Sequence, residues 1–384
     1  MVGLTSKEQE AVDRVIQAIG ASNEPYCDHA YNVHRWITAW QDETKAAENL
    51  QRHLHIRKIM PLPPDEDSVS KLMEEYAPIT ILGKNRKDDN KILLLEQSGR
   101  IDISGLVENI QLSSFMRTKF RMMQRLQEKV EEEEVRTGEQ SGGVLIMDLR
   151  GLSFSTNLLS VLAGPYRIMW GTLFEQYPQL IQQIIIINAP KFMNLLYQTC
   201  LPFIPADYRQ KIQISSDISA LHSSVDLDCI PDEYGGDAKA LDKFEIVYEI
   251  KIPVHPVPAK EPIKQSLNTL QIPAGGYMVE QYEWGKEEIM DFYLSNEQNF
   301  TYFIFYSEEP TEDQTEWKEI YAGCERPALK QIDNWRWKTP HYGYYYIRYG
   351  NERAWMFSVT VQKAIYAITH AGLKPQTPTK VFRI

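Results

Sequence analysis

Four cysteines in 384 residues, Cys27, Cys200, Cys229 and Cys324, stand too far apart for a metal or redox spacing. They read as free, buried thiols of a reducing compartment and give no disulfide framework. No run of large apolar residues is long enough to cross a bilayer, and the polar opening MVGLTSKEQE lacks the apolar core of a secretory signal. A cytoplasmic protein is the expectation. Excess positive charge is missing as well. The net charge of −11 disfavours nonspecific nucleic-acid binding, whose affinity comes from neutralised phosphates. It also repels a flat anionic membrane at long range, so any membrane contact has to be local and partly apolar. No internal repeat or low-complexity tract stands out. What remains, with 43% apolar and 24% charged residues, is an ordinary folded chain with length for two or three domains.

Catalytic constellations are equally thin. Ser153 and Ser155 follow a strand with Asp148 nearby and His222 downstream, yet no Gly-x-Ser-x-Gly elbow is present. His53 and His55 lie two apart without further ligands and read as a polar helix surface, not a metal site. Gly142-Gly143 precedes a strand and does not open a helix, so it is no phosphate loop. The expectation is a protein that is not an enzyme, with neither metal nor cofactor.

What is there centres on Val144–Lys211. Val144–Met147 and Ile184–Ile187 are short, almost wholly apolar and rich in β-branched residues, as strands buried on both faces are. Leu158–Phe174 between them has room for one crossover helix, which a parallel pair requires. Asn188-Ala189-Pro190 ends the second strand and turns into a helix. That helix carries Phe192, Leu195, Leu196 and Leu201 near helical spacing, with Phe203 beyond. Upstream, residues 6–19 show a capping-box pattern from Ser6 to Gln9 and then Val12, Val15, Ile16 and Ile19 on one face. His29–Trp40 places Trp36 and Trp40 one turn apart, and Asp42 precedes a third helix with Ala46, Ala47, Leu50 and Leu54 inward. Met60–Asp67 is a turn-rich break.

Ile92–Leu95 reads as a strand and Leu106–Arg136 as a long helix with Phe115, Met116, Phe120, Met123 and Leu126 toward one side. Its other side bears Arg117, Arg121 and Arg125, expected as a solvated face. Ile212 and Ile214 mark another strand, with a helix near Asp217–Leu221. A proline-rich stretch, Ile252–Lys264, reads as an extended linker. Beyond it, Ile272–Gly276, Tyr282–Trp284, Met290–Leu294, Phe300–Tyr306, Tyr344–Tyr349, Ala354–Val361 and Ala364–Ile368 form short aromatic or alternating runs, the pattern of an all-β sandwich. The fold class is thus α plus α/β plus all-β. Its expected units are a helical lobe (1–75), an α/β domain with a short, mostly parallel sheet (76–250), a linker (251–265) and a β-sandwich (266–384).

LIMDLRG, YPQ followed by INAP, LPFIP with KIQI, and IPDEYGG occur in this order. Together they resemble the CRAL-TRIO lipid-binding family, and HRWITAWQDETKAAENLQRHLHIRK looks like its helical lobe. IPAGGY and GYYYIRYGNERAWMFSVTVQKAIYAI resemble a GOLD domain. The pair is similar to the supernatant protein factor and tocopherol-associated proteins of animals. The resemblance implies a cytosolic carrier that holds one lipid or isoprenoid in an apolar cavity and touches membranes transiently. It implies Leu145, Met147, Ile184, Ile186 and Phe120 at the cavity, with Val144 and Ile146 turned away. Phe192, Leu195, Leu196 and Phe203 would form the gate helix, and Lys211 and Tyr208 would meet the headgroup.

The chain departs from the pattern of phosphatidylinositol carriers. Gln179 replaces an acidic residue after Tyr-Pro, Tyr208 replaces a threonine, and Trp36-Ile37-Thr38-Ala39-Trp40 replaces an arginine-rich segment that leaves Arg35. A buried phosphate needs several donors, so a less polar ligand is expected. A second reading is a signalling or trafficking adaptor that binds a protein partner through the GOLD-like domain, with Glu308–Glu319 and Tyr344–Tyr346 as contact surface and lipid as regulator.

Overall fold

The computed structural model describes residues 3–59, 79–87, 90–101, 111–201, 204, 206–236 and 266–383. Across them the expected order holds: a helical lobe, a mixed sheet flanked by helices, and an antiparallel β-sandwich. The Met60–Asp67 break, the linker 251–265 and the first residues expected in the long helix lie outside the described residues.

The lobe comprises α1 (Ser6–Ile19), α2 (Ala30–Trp40) and α3 (Glu43–Ile59). Val12, Val15, Trp36, Ala46 and Leu50 meet in one apolar cluster. The capping box begins one residue earlier than expected. Thr5 accepts from the Glu8 amide at 3.3 Å and the Glu8 carboxylate accepts from the Thr5 amide at 2.8 Å, an ionised acceptor that the neutral Gln9 amide cannot match. Asp42 caps α3, accepting from the amides of Thr44 and Lys45 at 2.9 and 3.1 Å.

The expectation for His53 and His55 is overturned. His53 is fully buried and His55 is half-buried. The His53 ring lies 5.2 to 5.4 Å from the rings of Tyr26, Trp36 and Tyr177, because α3 is covered by the α/β domain and by the sandwich as well as by its own lobe. Burial holds the His53 imidazole far below its ordinary value, at about 3.

The central sheet runs β1 (Ile79–Lys84), β2 (Lys91–Glu96), β3 (Gly142–Asp148), β4 (Ile181–Ile187) and β5 (Ile212–Ile214) in that spatial order, antiparallel at β1–β2 and parallel thereafter. Alternation along the inner strands divides the core. Leu145, Ile184 and Ile186 join one cluster, and Val144, Ile146, Ile185 and Ile187 the other. Before β3 runs α4 (Leu112–Thr137). Its arginines are not one solvated face: Arg125 is exposed as expected, but Arg117 is half-buried and Arg121 is only 7% exposed. The first half of α4 is sandwiched between β2 and β3 on one side and the β-sandwich on the other, a packing invisible to helical periodicity.

The crossover from β3 to β4 is two helices where one is expected. These are α5 (Thr156–Val161) and α6 (Arg167–Gln176), joined by a π-turn at Leu162–Tyr166. Pro165 lacks an amide hydrogen, and Gly164 supplies the distorted backbone, φ −106° and ψ −107°. Next comes α7 (Met193–Cys200). Pro190 sits in the turn ahead of this helix, accepting from the Met193 amide at 2.8 Å.

The sandwich packs two sheets around Trp284, Phe292, Tyr302, Trp335 and Tyr345. One contains β7 (Tyr277–Trp284), β9 (Phe300–Ser307), β10 (Lys318–Arg326), β12 (Gly343–Gly350) and β15 (Lys380–Arg383). The other contains β8 (Ile289–Asn296), β11 (Leu329–Lys338), β13 (Val359–Thr369) and β14 (Gly372–Pro375), with β6 (Asn268–Ile272) paired to β13. Two corrections apply here. Ala354–Ser358 is a loop, and the last two expected strands are one. Residues 318–338, without a strand assignment in the sequence, form β10 and β11, edge strands whose many charged and polar residues meet the rest of the molecule and obscure their alternation.

Candidate functional site

Beneath α7 lies an apolar cavity of about 200 Å³. Its floor is the face of the sheet that presents Leu145 and Met147 from β3, Ile184 and Ile186 from β4, and Ile212 from β5. Helices α5 and α6 wall it with Leu158, Trp170 and Phe174. The cover is α7 itself, through Met193, Leu196, Tyr197 and Cys200. The Leu196 side chain is 1% exposed and adjoins the cavity, whereas Leu195, one residue earlier, is 58% exposed. Phe192 precedes the first turn of α7 and meets Phe154 edge-on at 5.5 Å outside the cavity. Phe203 lies outside the described residues.

Phe120 stands elsewhere. It packs against Tyr177 at 5.8 Å and faces the cleft between α4, α6 and the sandwich. Nor do Tyr208 and Lys211 line the cavity. Tyr208 stacks behind the wall residue Phe174 at 4.1 Å, and burial pushes its phenol well up. Lys211 Nζ donates to Gln179 Oε1 at 2.5 Å while Gln179 Nε2 donates to Asp207 at 2.8 Å. Burial lowers the Lys211 ammonium below its ordinary value. Gln179, the departure visible in the sequence, is thus the very group that occupies Lys211.

The cavity's polar end escapes the sequence reading. Arg167 is the charged residue of its lining, joined there by Ser98 and Tyr166. The Tyr166 hydroxyl donates to the buried Glu96 carboxylate at 3.0 Å, as does Ser98 Oγ at 2.8 Å. Burial, and then the Glu96 charge, hold the Tyr166 phenol well above its usual range. Burial likewise raises the Cys200 thiol. Tyr166 and Arg167 directly follow the Gly164-Pro165 break, and that dipeptide is the one signal in the sequence that marks this end as irregular.

The residues from which a hydrolytic triad can be written have other partners. Asp148 accepts from Tyr234 at 2.9 Å and from Asn188 at 2.8 Å, and Ser155 caps α5 by accepting from the Leu158 amide at 3.0 Å. Among the described residues, no helix is long and apolar enough to cross a membrane.

A model of the CRAL/TRIO domain matches residues 75–236, and one described as the F28H7_8_C-like C-terminal domain matches residues 253–376. The chain is 28% identical over 369 residues to the CRAL-TRIO domain-containing protein F28H7.8 of Caenorhabditis elegans, spanning 94% of this chain and 90% of that one. It is 28% identical over 105 residues to the alpha-tocopherol transfer protein-like protein of Mus musculus, covering 27% of this chain and 30% of the relative. The crystal structure of Sfh5 aligns with 69% of this chain and 98% of its own, at a TM-score of 0.42 and 17% identity.

Proposed function

We propose that this chain, whose residues 75–236 match the CRAL/TRIO domain and which continues into a C-terminal β-sandwich, holds one hydrophobic lipid in the cavity beneath α7 and exchanges it with membranes. The observation that carries this reading is the cavity itself, an apolar space bounded by alternate residues of β3 and β4 and closed by one short helix. In it, Leu145, Met147, Ile184 and Ile186 receive the hydrocarbon and α7 is the gate.

Burying a methylene away from water is favourable by about 0.8 kcal/mol. In a bilayer the chains are already out of water, so transfer into an apolar cavity is near neutral and reversible. The barrier is exposure during passage, which α7 lowers by opening with Leu195 against the membrane. A cavity of about 200 Å³ is below the roughly 300 Å³ at which small-ligand sites begin, so loading requires α7 to move outward. The broken crossover at Gly164-Pro165 gives the opposite wall a place to yield.

With Lys211 held by Gln179 and Arg167 the charged liner, the headgroup has few donors, and the ligand is of low polarity: an isoprenoid or a neutral lipid rather than a phosphoinositide. The GOLD-like character of the sandwich belongs to the same proposal. Native mass spectrometry of the protein purified from its own cells tests it. One apolar molecule per chain is expected. A preparation that stays empty after incubation with mixed vesicles contradicts the reading.

A further inference from the structure

The loop between β12 and β13 carries Trp355, Met356 and Phe357, whose exposures are 88, 64 and 69%. We propose that this tip is a membrane-inserting wedge on the β-sandwich, distinct from the α7 gate, whose partner is the interface of a bilayer with neutral headgroups.

Three adjacent large apolar side chains left in water form a patch of the kind that marks an interaction site. The tip rests on a fastened base. Asn351 Nδ2 donates to the carbonyls of Pro273 and Phe357 at 3.2 and 2.9 Å, and the Asn351 amide donates to the Gly276 carbonyl at 2.8 Å. The side chains are therefore displayed by ordered backbone. Consecutive side chains diverge from the chain, and here all three are exposed around a bend, so hydrocarbon points in several directions. A protein groove complements one face, whereas a bilayer surrounds a wedge. Trp and Phe are also the side chains that favour the membrane–water interface.

Charge at the base decides the kind of membrane. Arg353 lies 3.5 Å from Glu325, and Glu352 lies 3.9 Å from Arg348 and accepts from Thr301 at 3.0 Å. These charges balance one another, and the chain as a whole carries −11. Attraction to the bilayer is then apolar and largely indifferent to salt, unlike that of a polybasic anchor. This inference needs no ligand in the cavity.

The test uses the full chain and phosphatidylcholine vesicles with brominated acyl chains. Bromine should quench part of the tryptophan emission of the wild-type protein. Trp355→Phe should keep vesicle binding and lose most of that quenching. Trp355→Ser combined with Phe357→Ser should weaken vesicle partitioning at least about tenfold with an unchanged melting temperature. Salt at about 0.5 M should shift wild-type partitioning less than about twofold. Equal partitioning of the serine variant, or full quenching in Trp355→Phe, overturns the proposal. So does a serine variant that loses self-association alone, which assigns the tip to a second copy of the chain. Lipid content of the serine variant, read by mass spectrometry, separates this outcome from failure of the cavity reading.

Discussion

The Arg167 guanidinium, part of the cavity lining, donates to Glu325 Oε1 at 2.8 Å, and Glu325 sits on β10 of the sandwich. The same carboxylate lies 3.5 Å from Arg353 at the base of the exposed tip. One side chain thus connects the apolar cavity to the C-terminal domain. Both partners are about one-fifth exposed, 19 and 24%, so the pair is neither a solvated surface bridge nor a dry one. Glu325→Gln is expected to cost about 1–2 kcal/mol, at and below the low end for hydrogen bonds to charged groups because the pair is partly exposed. A double-mutant cycle with Arg167→Met, read by urea denaturation, should give a coupling of at least about 0.5 kcal/mol. Strict additivity would show that the contact does not hold the two units together.

Stability should fall below pH 6.5. His53 has its folded-state value lowered to about 3 by burial, against about 6.5 in the unfolded chain. Between those values the unfolded state binds the additional proton, so stability is complete above pH 6.5 and is lost as pH falls toward 3. The loss is at most about 1.4 kcal/mol per pH unit for this one group. Urea midpoints at pH 7.5, 6 and 5 measure it, and His53→Gln should flatten the slope. An unchanged slope in that variant would mean that other groups govern the acid side.

Much of the architecture was legible because apolar runs and caps are local signals. The β3 and β4 strands, the Asp42 cap and the inward faces of the lobe follow from residue type and spacing. What was hidden depends on neighbours far along the chain. Arg121 and His53 are buried because the sandwich and α/β domain cover their helices, and those partners lie far along the chain. For the cavity floor, alternation from Leu145 and Ile184 sufficed once the resemblance to CRAL-TRIO proteins supplied the orientation. The cavity's polar end was not legible, and the residues expected there, Lys211 and Tyr208, stand outside its lining. Lys211 is occupied by Gln179, and Arg167 lies in a crossover whose π-turn no periodicity shows.

Arg35 is the lobe's latch. Its guanidinium pairs with Glu134 of α4 and also donates to Asn32 and to the Ser141 carbonyl, and the side chains of the ion pair are each 3% exposed. Arg35→Ala leaves the Glu134 carboxylate buried beside only the Ser141 amide. The expected loss is about 3–5 kcal/mol, measured as a drop in urea midpoint. A loss below about 1 kcal/mol would show that Glu134 is readily hydrated or neutralised.

Leu195 and Leu196 mark the two faces of α7, the proposed gate. Leu195→Asp places a charge on the exposed face, so folding should be unaffected while lipid transfer between vesicles slows by about tenfold or more. Leu196→Asp instead buries a charge at the cavity wall and should destabilise the fold. Transfer kinetics and melting curves on both variants check this, and wild-type transfer by Leu195→Asp removes α7 from the exchange route.

The most direct test is to fill the cavity from its floor. Ile186→Trp projects a larger side chain into the space above β4. The protein is incubated with vesicles, reisolated and weighed by native mass spectrometry. The account predicts one bound lipid per wild-type chain and an empty Ile186→Trp chain of unchanged fold by circular dichroism; equal loading of the two would contradict it.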